Sequence, residues 1–324
     1  MEAEEELAQG VREALADLGG PAGAVVLERI PGGASRETWL VDAGGERFVL
    51  RRDPPGSESL APQASEFRLV QLARDAGVPV PEPLRLEEAG GRFGTAGVLM
   101  AHVGGISVGP RVLRRDELAA AREELPGQLA EALARIHAVD PGRTGLPDPG
   151  PDPTMTQIEH WERELDRIGQ PLPVVELGLR WLRANRPDPV EPRLVHGDFR
   201  LGNFIVDESG LAAVIDWELA HLGDPAEDLA WLCIRSWRFG NDEKPVAGLA
   251  DLESFLTAYG AAGGAVPDRE RLRFWEVFGN LKWAVICARQ AHDHMTGLRR
   301  SHELASLGRR ICEPEWDMLE VIGR

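Results

Sequence analysis

The sequence predicts an α+β protein of two lobes, in which a small antiparallel β-sheet lobe precedes a larger, mainly helical lobe. Two observations support this prediction. Short apolar runs separated by glycine-containing turns fill about the first hundred residues, whereas apolar residues recur at helical spacing from Gly104 onward. A block of strands followed by a block of helices is typical of α+β folds. We therefore expect lobes over residues 1–103 and 104–324, with a ligand cleft between them.

The N-terminal lobe is expected to contain one sheet and one main helix. An amphipathic helix over residues 7–18 opens the chain, and the main helix, over residues 60–76, ends where Gly77 and Pro79 follow. Short apolar runs bounded by turn residues predict the strands. These strands are expected at residues 24–30, 37–41, 47–52, 84–88 and 97–103, with a turn at residues 42–45.

The C-terminal lobe is expected to consist of helices and one hairpin. Two apolar runs flank Asp207-Glu-Ser-Gly210, which is a hairpin signal, and a proline-rich loop is expected at residues 145–153. Apolar residues at helical spacing predict the helices. These are expected at residues 128–139, 155–168, 176–185, 224–234, 252–259, 268–294 and 301–322.

Composition excludes several classes of protein. A chain of 324 residues with 43% hydrophobic residues can bury a large core, so general disorder is excluded. The net charge of −17 argues against a nucleic-acid polymer as partner, because phosphate backbones bind basic surfaces. The longest uncharged run contains five glycines, so no membrane span is expected. Three widely spaced cysteines and an acidic start predict a cytoplasmic protein of unknown oligomeric state.

The basic residues are strongly biased towards arginine. Of the 36 basic residues 34 are arginine, and the lysines are Lys244 and Lys282. Any chemistry that ordinarily uses a lysine in the N-terminal lobe must therefore use arginine instead.

The predicted hairpin brings together two residues that can bind a metal ion. A turn centred between Ser209 and Gly210 would place Asn203 opposite Asp216. An amide oxygen and a carboxylate are hard ligands of the kind that hold Mg²⁺ and leave its other positions for water and phosphate. The register therefore predicts a magnesium site at this end of the hairpin.

Asp198 lies on the loop that enters the hairpin, five residues before Asn203. A carboxylate there can accept or orient the proton of an attacking hydroxyl during phosphoryl transfer, a reaction that needs mainly alignment and cancellation of charge. His196, two residues earlier, is expected to support the loop rather than to bind metal.

The motifs HGDFRLGN at residues 196–203 and VIDWE at residues 214–218 resemble the catalytic and metal motifs of the aminoglycoside phosphotransferase and choline kinase family, relatives of protein kinases. The resemblance covers nearly the whole chain and implies a bilobed, protein-kinase-like fold that uses ATP or GTP and Mg²⁺. The continuation ELAHLGDPAEDLAWL is similar to the branch associated with acyl-CoA dehydrogenases, some of whose kinase domains act on hydroxyacyl-CoA.

The resemblance implies roles for individual residues of this chain. Asp198 corresponds to the catalytic base, and Asn203 and Asp216 correspond to the magnesium ligands. Residues 31–36 correspond to the loop over the nucleotide phosphates, with contacts from the backbone of Gly32 and Gly33 and the hydroxyl of Ser35.

Kinase-like folds hold the phosphates with a lysine on the third strand, paired with a helix glutamate. The corresponding strand here contains no lysine, and alternation along it puts Val49 and Arg51 on one face. We expect Val49 to contact adenine and Arg51 to bind phosphate, with Glu66 of the following helix as the partner of Arg51.

Residues 99–105 resemble the hinge between the lobes. Backbone groups of Ala101 and Val103 are expected to hydrogen-bond adenine, and Gly104 and Gly105 are expected to permit movement of the lobes.

A second group of residues is expected to be supportive. Asp224 and Glu227 have the spacing of a helix capping box, and Asp228 resembles the family residue that braces the catalytic loop. Glu218 and His221 are expected to lie near the metal in supporting roles.

The leading hypothesis is a constitutively active kinase that phosphorylates a hydroxyl of a small molecule. A hydroxyacyl-CoA or another metabolic alcohol is the preferred acceptor, bound by arginines of residues 111–115 or 235–238. An aminoglycoside kinase with an acidic pocket around residues 159–166 is one alternative. A nucleotide-binding pseudokinase or scaffold is another, because the lysine is missing. A metal-dependent hydrolase would use His196, Asp198, Asp216 and His221.

Overall fold

The structure, a computed structural model, describes residues 2–21, 23–30, 36–55 and 62–324. Its N-terminal part is an antiparallel sheet accompanied by helices α1 (Glu2–Asp17) and α2 (Gln63–Asp75). The strands are β1 (Val25–Ile30), β2 (Glu37–Ala43), β3 (Glu46–Arg52), β4 (Pro83–Glu87) and β5 (Gly97–Ala101). Their order across the sheet is β1-β2-β3-β5-β4, so β3 and β5 are interior neighbours. The five predicted strands and both predicted helices are confirmed.

Alternation along β3 separates the core of the sheet from its second face. Phe48 and Leu50 are buried in a cluster with Trp39 of β2 and with Leu7 and Val11 of α1. The intervening residues of β3 are only partly buried and lie on the other face. That face is the one that α2 approaches, and it carries the arginine discussed below.

Helices form most of the C-terminal part, as predicted. They are α3 (Gly109–Arg114), α4 (Ala119–His137), α5 (Pro141–Thr144), α6 (Pro153–Ile168), α7 (Pro173–Ala184), α8 (Ala226–Cys233), α9 (Leu252–Ala261), α10 (Arg269–Met295), α11 (His302–Arg310) and α12 (Cys312–Ile322). The long α10 is the central element, because it contacts α6, α7, α8, α11 and α12. None of the helices within the described residues is long and apolar enough to cross a membrane.

Two predicted helices differ in extent from the structure. The helix expected over residues 301–322 is divided at Ile311 into α11 and α12. Pro314 explains the break, because a proline inside a continuous helix lacks the N–H and collides with the preceding turn. Helix α4 begins at Ala119 and continues through Pro126. Its first part is kept helical by packing, because Ala121 and Leu125, which precede the proline, are buried.

Short strands frame the predicted hairpin. β7 (Phe204–Asp207) and β8 (Gly210–Val214) form the hairpin, and β6 (Arg193–Val195) pairs with β9 (His221–Gly223). The hairpin is confirmed, but its predicted register is wrong. Asp207 pairs with Gly210 around a tighter turn, and an irregularity between Ile205 and Val206 shifts the pairing by one residue.

The shifted register changes the neighbours at the end of the hairpin. The N–H of Ile215 donates to the carbonyl of Asn203 at 2.9 Å, so Asn203 lies opposite Ile215 rather than Asp216. Asp216 is the next residue, and its φ of 69° turns the chain out of the strand. Asn203 and Asp216 therefore remain at the same end of the hairpin.

The segment after β5 joins the two parts of the molecule through the hairpin. Ile106 forms a bridge with Val206 of β7. Gly105 has a φ of 137°, and a Cβ on it would lie 2.7 Å from the Val206 carbonyl oxygen. Glycine at this position is therefore required for close approach of two backbones. This differs from the expected role of a flexible hinge.

Candidate active site

Asp198 is held by three side chains. Its Oδ1 accepts hydrogen bonds from Trp231 Nε1 and Arg200 Nε, both at 2.9 Å, and its Oδ2 accepts one from Asn203 Nδ2 at 2.6 Å. The carboxylate is 13% exposed. It is therefore oriented by neutral and charged donors and remains partly exposed.

The backbone before Asp198 is fixed by a buried carboxylate. Asp228 accepts from the N–H groups of His196 and Gly197 at 2.7 and 2.9 Å. Burial disfavours its charge, but His137, at 3.2 Å, helps to hold its pKa below the ordinary value. The bracing role expected for Asp228 is thus present. His196 accepts from the Asp198 N–H at 3.2 Å, which is a supporting contact.

Lys282 holds the same turn from the opposite side and was not predicted. Its Nζ donates to the Gly197 carbonyl at 2.6 Å and to Glu227 Oε1 at 2.9 Å. The ammonium also lies over the ring of Trp231, 4.8 Å from its centroid. A lysine within an otherwise apolar stretch of a predicted helix was the available signal, since such a charge needs a buried partner.

Glu227 is not the capping-box residue that its spacing predicts. Its carboxylate contacts Lys282 and His221 Nε2, the latter at 3.0 Å. Burial raises its pKa, but the charges of Lys282 and His221 prevail and lower it to about 2. The Asp224 side chain accepts from the Ala226 N–H at 2.9 Å, two residues on, rather than from the Glu227 N–H that a capping box requires.

His221 contributes to this buried cluster. Its second ring nitrogen, Nδ1, faces the Leu219 carbonyl at 2.9 Å. Burial lowers its pKa, but the ionised Glu227 outweighs this effect and the net change is upward. With an acceptor at each nitrogen, the protonated ring satisfies both contacts.

Asn203 and Asp216 have the donor chemistry expected of a magnesium pair. Asn203 uses its amide nitrogen for Asp198, donating to both the carbonyl and Oδ2, so its amide oxygen is not used in these contacts. Asp216 Oδ1 accepts from Arg51 at 2.8 Å. Burial opposes the charge of Asp216, but Arg51 and then Arg200 hold its pKa below the ordinary value.

Arg51 connects the two parts of the molecule. Its guanidinium contacts Glu66 Oε1 of α2 at 2.6 Å through one nitrogen and Asp216 through the other. The predicted pairing of Arg51 with Glu66 is therefore present. Arg36 was not singled out by the sequence, yet it is buried and contacts Glu66 and Asp53. Glu66 thus receives two arginines where a kinase-like fold ordinarily uses one lysine.

Of the other residues predicted to contact the nucleotide, Val49, Ala101 and Val103 are among the described residues. Val49 pairs with Met100 of β5 in the strand register. The N–H of Ala101 donates to the Glu82 carbonyl at 2.9 Å, so this N–H is not available for a ligand. Among the described residues, no backbone carbonyl accepts from the N–H of Val103. The predicted phosphate contacts Gly32, Gly33 and Ser35 lie outside the described residues.

The histidines do not form a site rich in direct metal ligands. Within the described part of the chain, no three His, Cys, Asp or Glu side chains are grouped to hold a metal ion. His196 and His221 are engaged with the backbone and with Glu227. This arrangement disfavours the hydrolase alternative.

Glu218 and His221 were both expected to support the metal site. Glu218 interacts electrostatically with Arg36, whereas His221 belongs to the Glu227 and Lys282 cluster.

Several charges of the three segments proposed for acceptor binding are engaged in local contacts. Arg235 pairs with Asp242 and Asp317, and Arg238 donates to the Cys233 carbonyl. In the acidic segment, Glu162 pairs with Arg183, and Glu164 is buried with Arg167 and Arg289. Arg115 pairs with Glu117. The charges in these segments are therefore less available to a ligand than the sequence suggests.

The fold and the site together define a protein-kinase-like phosphotransferase. The Asp198 carboxylate on its braced loop contacts Asn203, and Arg51 links Asp216 to the helix of the sheet lobe through Glu66. The chain belongs to the phosphotransferase enzyme family, whose model matches residues 26–275.

Relatives of known structure or curated sequence agree with this assignment. A Ralstonia eutropha protein provisionally named an aminoglycoside phosphotransferase has a TM-score of 0.75 and 24% identity, covering 98% of this chain and 97% of that chain. Spectinomycin phosphotransferase in complex with ADP and spectinomycin has a TM-score of 0.63 and 15% identity, covering 97% and 98%. These two likenesses concern the fold.

The predicted similarity to the acyl-CoA dehydrogenase branch is confirmed. Acyl-CoA dehydrogenase family member 10 of Mus musculus is 29% identical over 306 residues, which are 88% of this chain and 28% of that protein. The chain thus spans less than a third of the length of this relative.

Proposed function

We propose that the protein is an ATP- and Mg²⁺-dependent kinase that transfers the γ-phosphate to a hydroxyl of a small molecule. The observation that carries the proposal is the continuous set of contacts from Glu66 through Arg51 to Asp216, beside the oriented carboxylate of Asp198. These contacts bring together Arg51 as the cation for phosphate, Asp216 as the oxygen ligand for the metal and Asp198 as the base. Membership of the phosphotransferase enzyme family supports the reaction type.

Asp198 is the proposed base. The acceptor oxygen bonds to the γ-phosphorus, and the bond from that phosphorus to its bridging oxygen breaks with the electron pair leaving on ADP. The hydroxyl proton passes to Asp198, whose hydrogen bonds from Trp231 and Asn203 fix its direction.

Asn203 and Asp216 are the proposed magnesium ligands. Two protein oxygens suit Mg²⁺, because this ion keeps several positions for water and phosphate. The use of the Asn203 amide nitrogen by Asp198 supports this assignment, since it leaves the amide oxygen for the ion. Bound Mg²⁺ would supply charge neutralisation for the phosphates.

The proposed nucleotide contacts come from the sheet lobe and the segment after it. Arg51, positioned by Glu66, binds phosphate, and Val49 contacts adenine. The carbonyl of Ala101 and the N–H of Val103 hydrogen-bond its edge, while Gly32, Gly33 and Ser35 cover the phosphates. The complex of spectinomycin phosphotransferase with ADP supports a nucleotide in this fold. ATP is the proposed donor, with GTP as the competitor to be tested.

The proposed acceptor is a hydroxyacyl-CoA or another metabolic alcohol. Similarity to acyl-CoA dehydrogenase family member 10 supports this class. The exposed part of Arg200 beside Asp198 also places a cation where the acceptor hydroxyl must approach. A cation there favours neutral or anionic acceptors over polycationic ones. An aminoglycoside-type antibiotic is the second candidate, because spectinomycin is bound by a relative of the same fold.

The test is ATP consumption by the full chain with Mg²⁺ against a panel of hydroxyacyl-CoAs and a panel of aminoglycosides. We expect turnover on the first panel and its loss in Asp198→Ala, with ATP binding retained. Turnover confined to antibiotics would overturn the acceptor class. ATP binding without transfer to any acceptor or to water would instead indicate the pseudokinase alternative, and wild-type turnover by Asp198→Ala would remove the base assignment.

A further inference from the structure

Arg200 is the contact of Asp198 that is best able to move. Of the three side chains that donate to this carboxylate, Trp231 and Asn203 are 1% and 5% exposed. The side chain of Arg200 is 23% exposed. Its guanidinium lies over the ring of Trp237, 4.5 Å from the ring centroid, so it has a flat surface on which to slide.

Gly202 leaves room for the guanidinium beside the base. Gly202 has a φ of 117°, and a Cβ on it would lie 2.4 Å from Arg200 Nη1. The same nitrogen donates to the Leu201 carbonyl at 3.3 Å. A side chain at residue 202 would therefore displace the arginine, and glycine leaves the space that the guanidinium occupies.

Arg200 also lies within electrostatic reach of the second carboxylate of the site. Its charge contributes to the lowered pKa of Asp216, behind the contribution of Arg51 and against the effect of burial. One guanidinium thus acts on both Asp198 and Asp216. The transferring phosphoryl group must pass through the region that these two carboxylates border, so a cation is already close to its path.

We infer that Arg200 is a further catalytic residue, whose guanidinium leaves Asp198 when the substrates bind and contacts the phosphoryl group in transit. The inference rests on the proposed kinase function. Guanidinium groups match phosphate oxygens in bidentate geometry, and an arginine that meets a transferring phosphoryl group stabilises its charge. Departure of Arg200 also leaves Trp231 as the remaining donor to Asp198 Oδ1, so this oxygen can accept a hydrogen bond from the acceptor hydroxyl. Substrate binding and exposure of the base are thereby coupled.

The test uses Mg²⁺, ADP and aluminium fluoride, which together mimic the phosphoryl group in transit and require no known acceptor. Binding of ADP with and without aluminium fluoride is measured by calorimetry for the full-length wild type and Arg200→Ala. We expect ADP affinity to change less than about threefold in the variant. The gain in affinity from aluminium fluoride, and kcat for ATP hydrolysis by water, should each fall by about 100-fold or more.

Three further variants complete the comparison. Arg269→Ala removes an exposed arginine paired with Glu253 and should retain the wild-type gain in affinity from aluminium fluoride. Arg200→Lys should show part of the gain in ADP affinity from aluminium fluoride that Arg200→Ala loses, because lysine keeps the positive charge. If Arg200→Ala does not fold, as judged by thermal unfolding, Arg200→Gln provides the same comparison without the charge.

The outcomes separate this inference from the proposed function. The role of Arg200 would be overturned if Arg200→Ala kept the wild-type gain in ADP affinity from aluminium fluoride. It would also be overturned if the variant lost affinity for ADP to the same extent with and without aluminium fluoride. A wild type that binds ADP equally well with and without aluminium fluoride would overturn the kinase function itself, and this inference with it.

Discussion

Lys282 Nζ lies 2.6 Å from the carbonyl oxygen of Gly197, the residue before Asp198, although 85 residues separate the two in sequence. Asp228 binds the N–H group of the same glycine at 2.9 Å. Two buried ions of opposite charge therefore fix the peptide groups on either side of Gly197. Because Asp198 follows directly, this pair determines the position of the backbone that carries the proposed base.

Removal of the Lys282 charge should destabilise the fold and slow the reaction. In Lys282→Met, Glu227 stays buried with only His221 as a charged partner, which costs up to about 3–5 kcal/mol of unfolding free energy. The double variant Lys282→Met/Glu227→Gln should recover part of this loss, since no unpaired charge remains. Urea unfolding measures both. Equal stability of the single variant and the wild type would show that the ion pair does not stabilise the fold.

Asp228→Asn should affect catalysis more than nucleotide binding. The amide can accept from only one of the two N–H groups through its oxygen, and a hydrogen bond to a charged group contributes about 1.5–3 kcal/mol. We expect a loss of stability in this range and a lower kcat for ATP hydrolysis with a nearly unchanged KM for ATP. Asp251→Asn, which alters the exposed cap of α9, is the matched control and should retain kcat. A rise in KM alone would contradict the bracing role.

Arg51 and Arg52 are adjacent arginines on opposite faces of β3. Arg51 contacts Glu66 and Asp216, whereas Arg52 contacts Glu37 and the Phe93 carbonyl. Arg51→Ala should raise the KM for ATP roughly tenfold or more, because a charge-assisted contact to phosphate is lost. Arg51→Lys should be intermediate, and Arg52→Ala should leave this KM near the wild-type value. Steady-state hydrolysis measures all three, and an unchanged KM in Arg51→Ala would show that another residue binds the phosphates.

Gly105 and Gly104 should respond differently to alanine. A Cβ on Gly105 would lie 2.7 Å from the Val206 carbonyl oxygen, whereas a Cβ on Gly104 meets nothing within 4 Å. Gly105→Ala should lower the unfolding free energy by about 1–3 kcal/mol, and Gly104→Ala should change it by no more than about 0.5 kcal/mol. Thermal unfolding of the two variants provides the comparison. Equal tolerance at both positions would restore the interpretation of these glycines as a flexible hinge.

Glu227 should make stability depend on pH in the acid range. Burial opposes its charge, but Lys282 and His221 lower its folded-state pKa from an ordinary 4.5 to about 2. The ionised carboxylate therefore stabilises the fold above about pH 4.5, and this contribution disappears as the pH falls towards 2. Glu227→Gln should have a lower Tm near pH 7 and a shallower decline of Tm between these pH values. Glu253→Gln, on the surface of α9, should retain the wild-type profile; identical profiles for all three proteins would contradict the prediction.

Local sequence was sufficient for those features whose partners are close along the chain. The strands of the sheet followed from alternation and turn residues. The hairpin brought Asn203 and Asp216 to one end, although its turn at Asp207 and Gly210 is tighter than predicted and Asn203 lies opposite Ile215. Alternation in β3 also placed Arg51 towards α2, where it meets Glu66. These features depend on periodicity and chain reversal, which sequence reports directly.

The sequence by itself thus determined the order of a β-sheet before a series of helices, the shortage of lysine and the candidate residues for phosphate chemistry. Only the tertiary structure decided that Lys282 and Asp228 fix Gly197, that Glu227 is an ionic partner rather than a cap, and that Arg200 covers Asp198. The reason is physical: a buried charge is stable only beside a partner, and that partner is chosen by the packing of distant helices rather than by spacing in sequence.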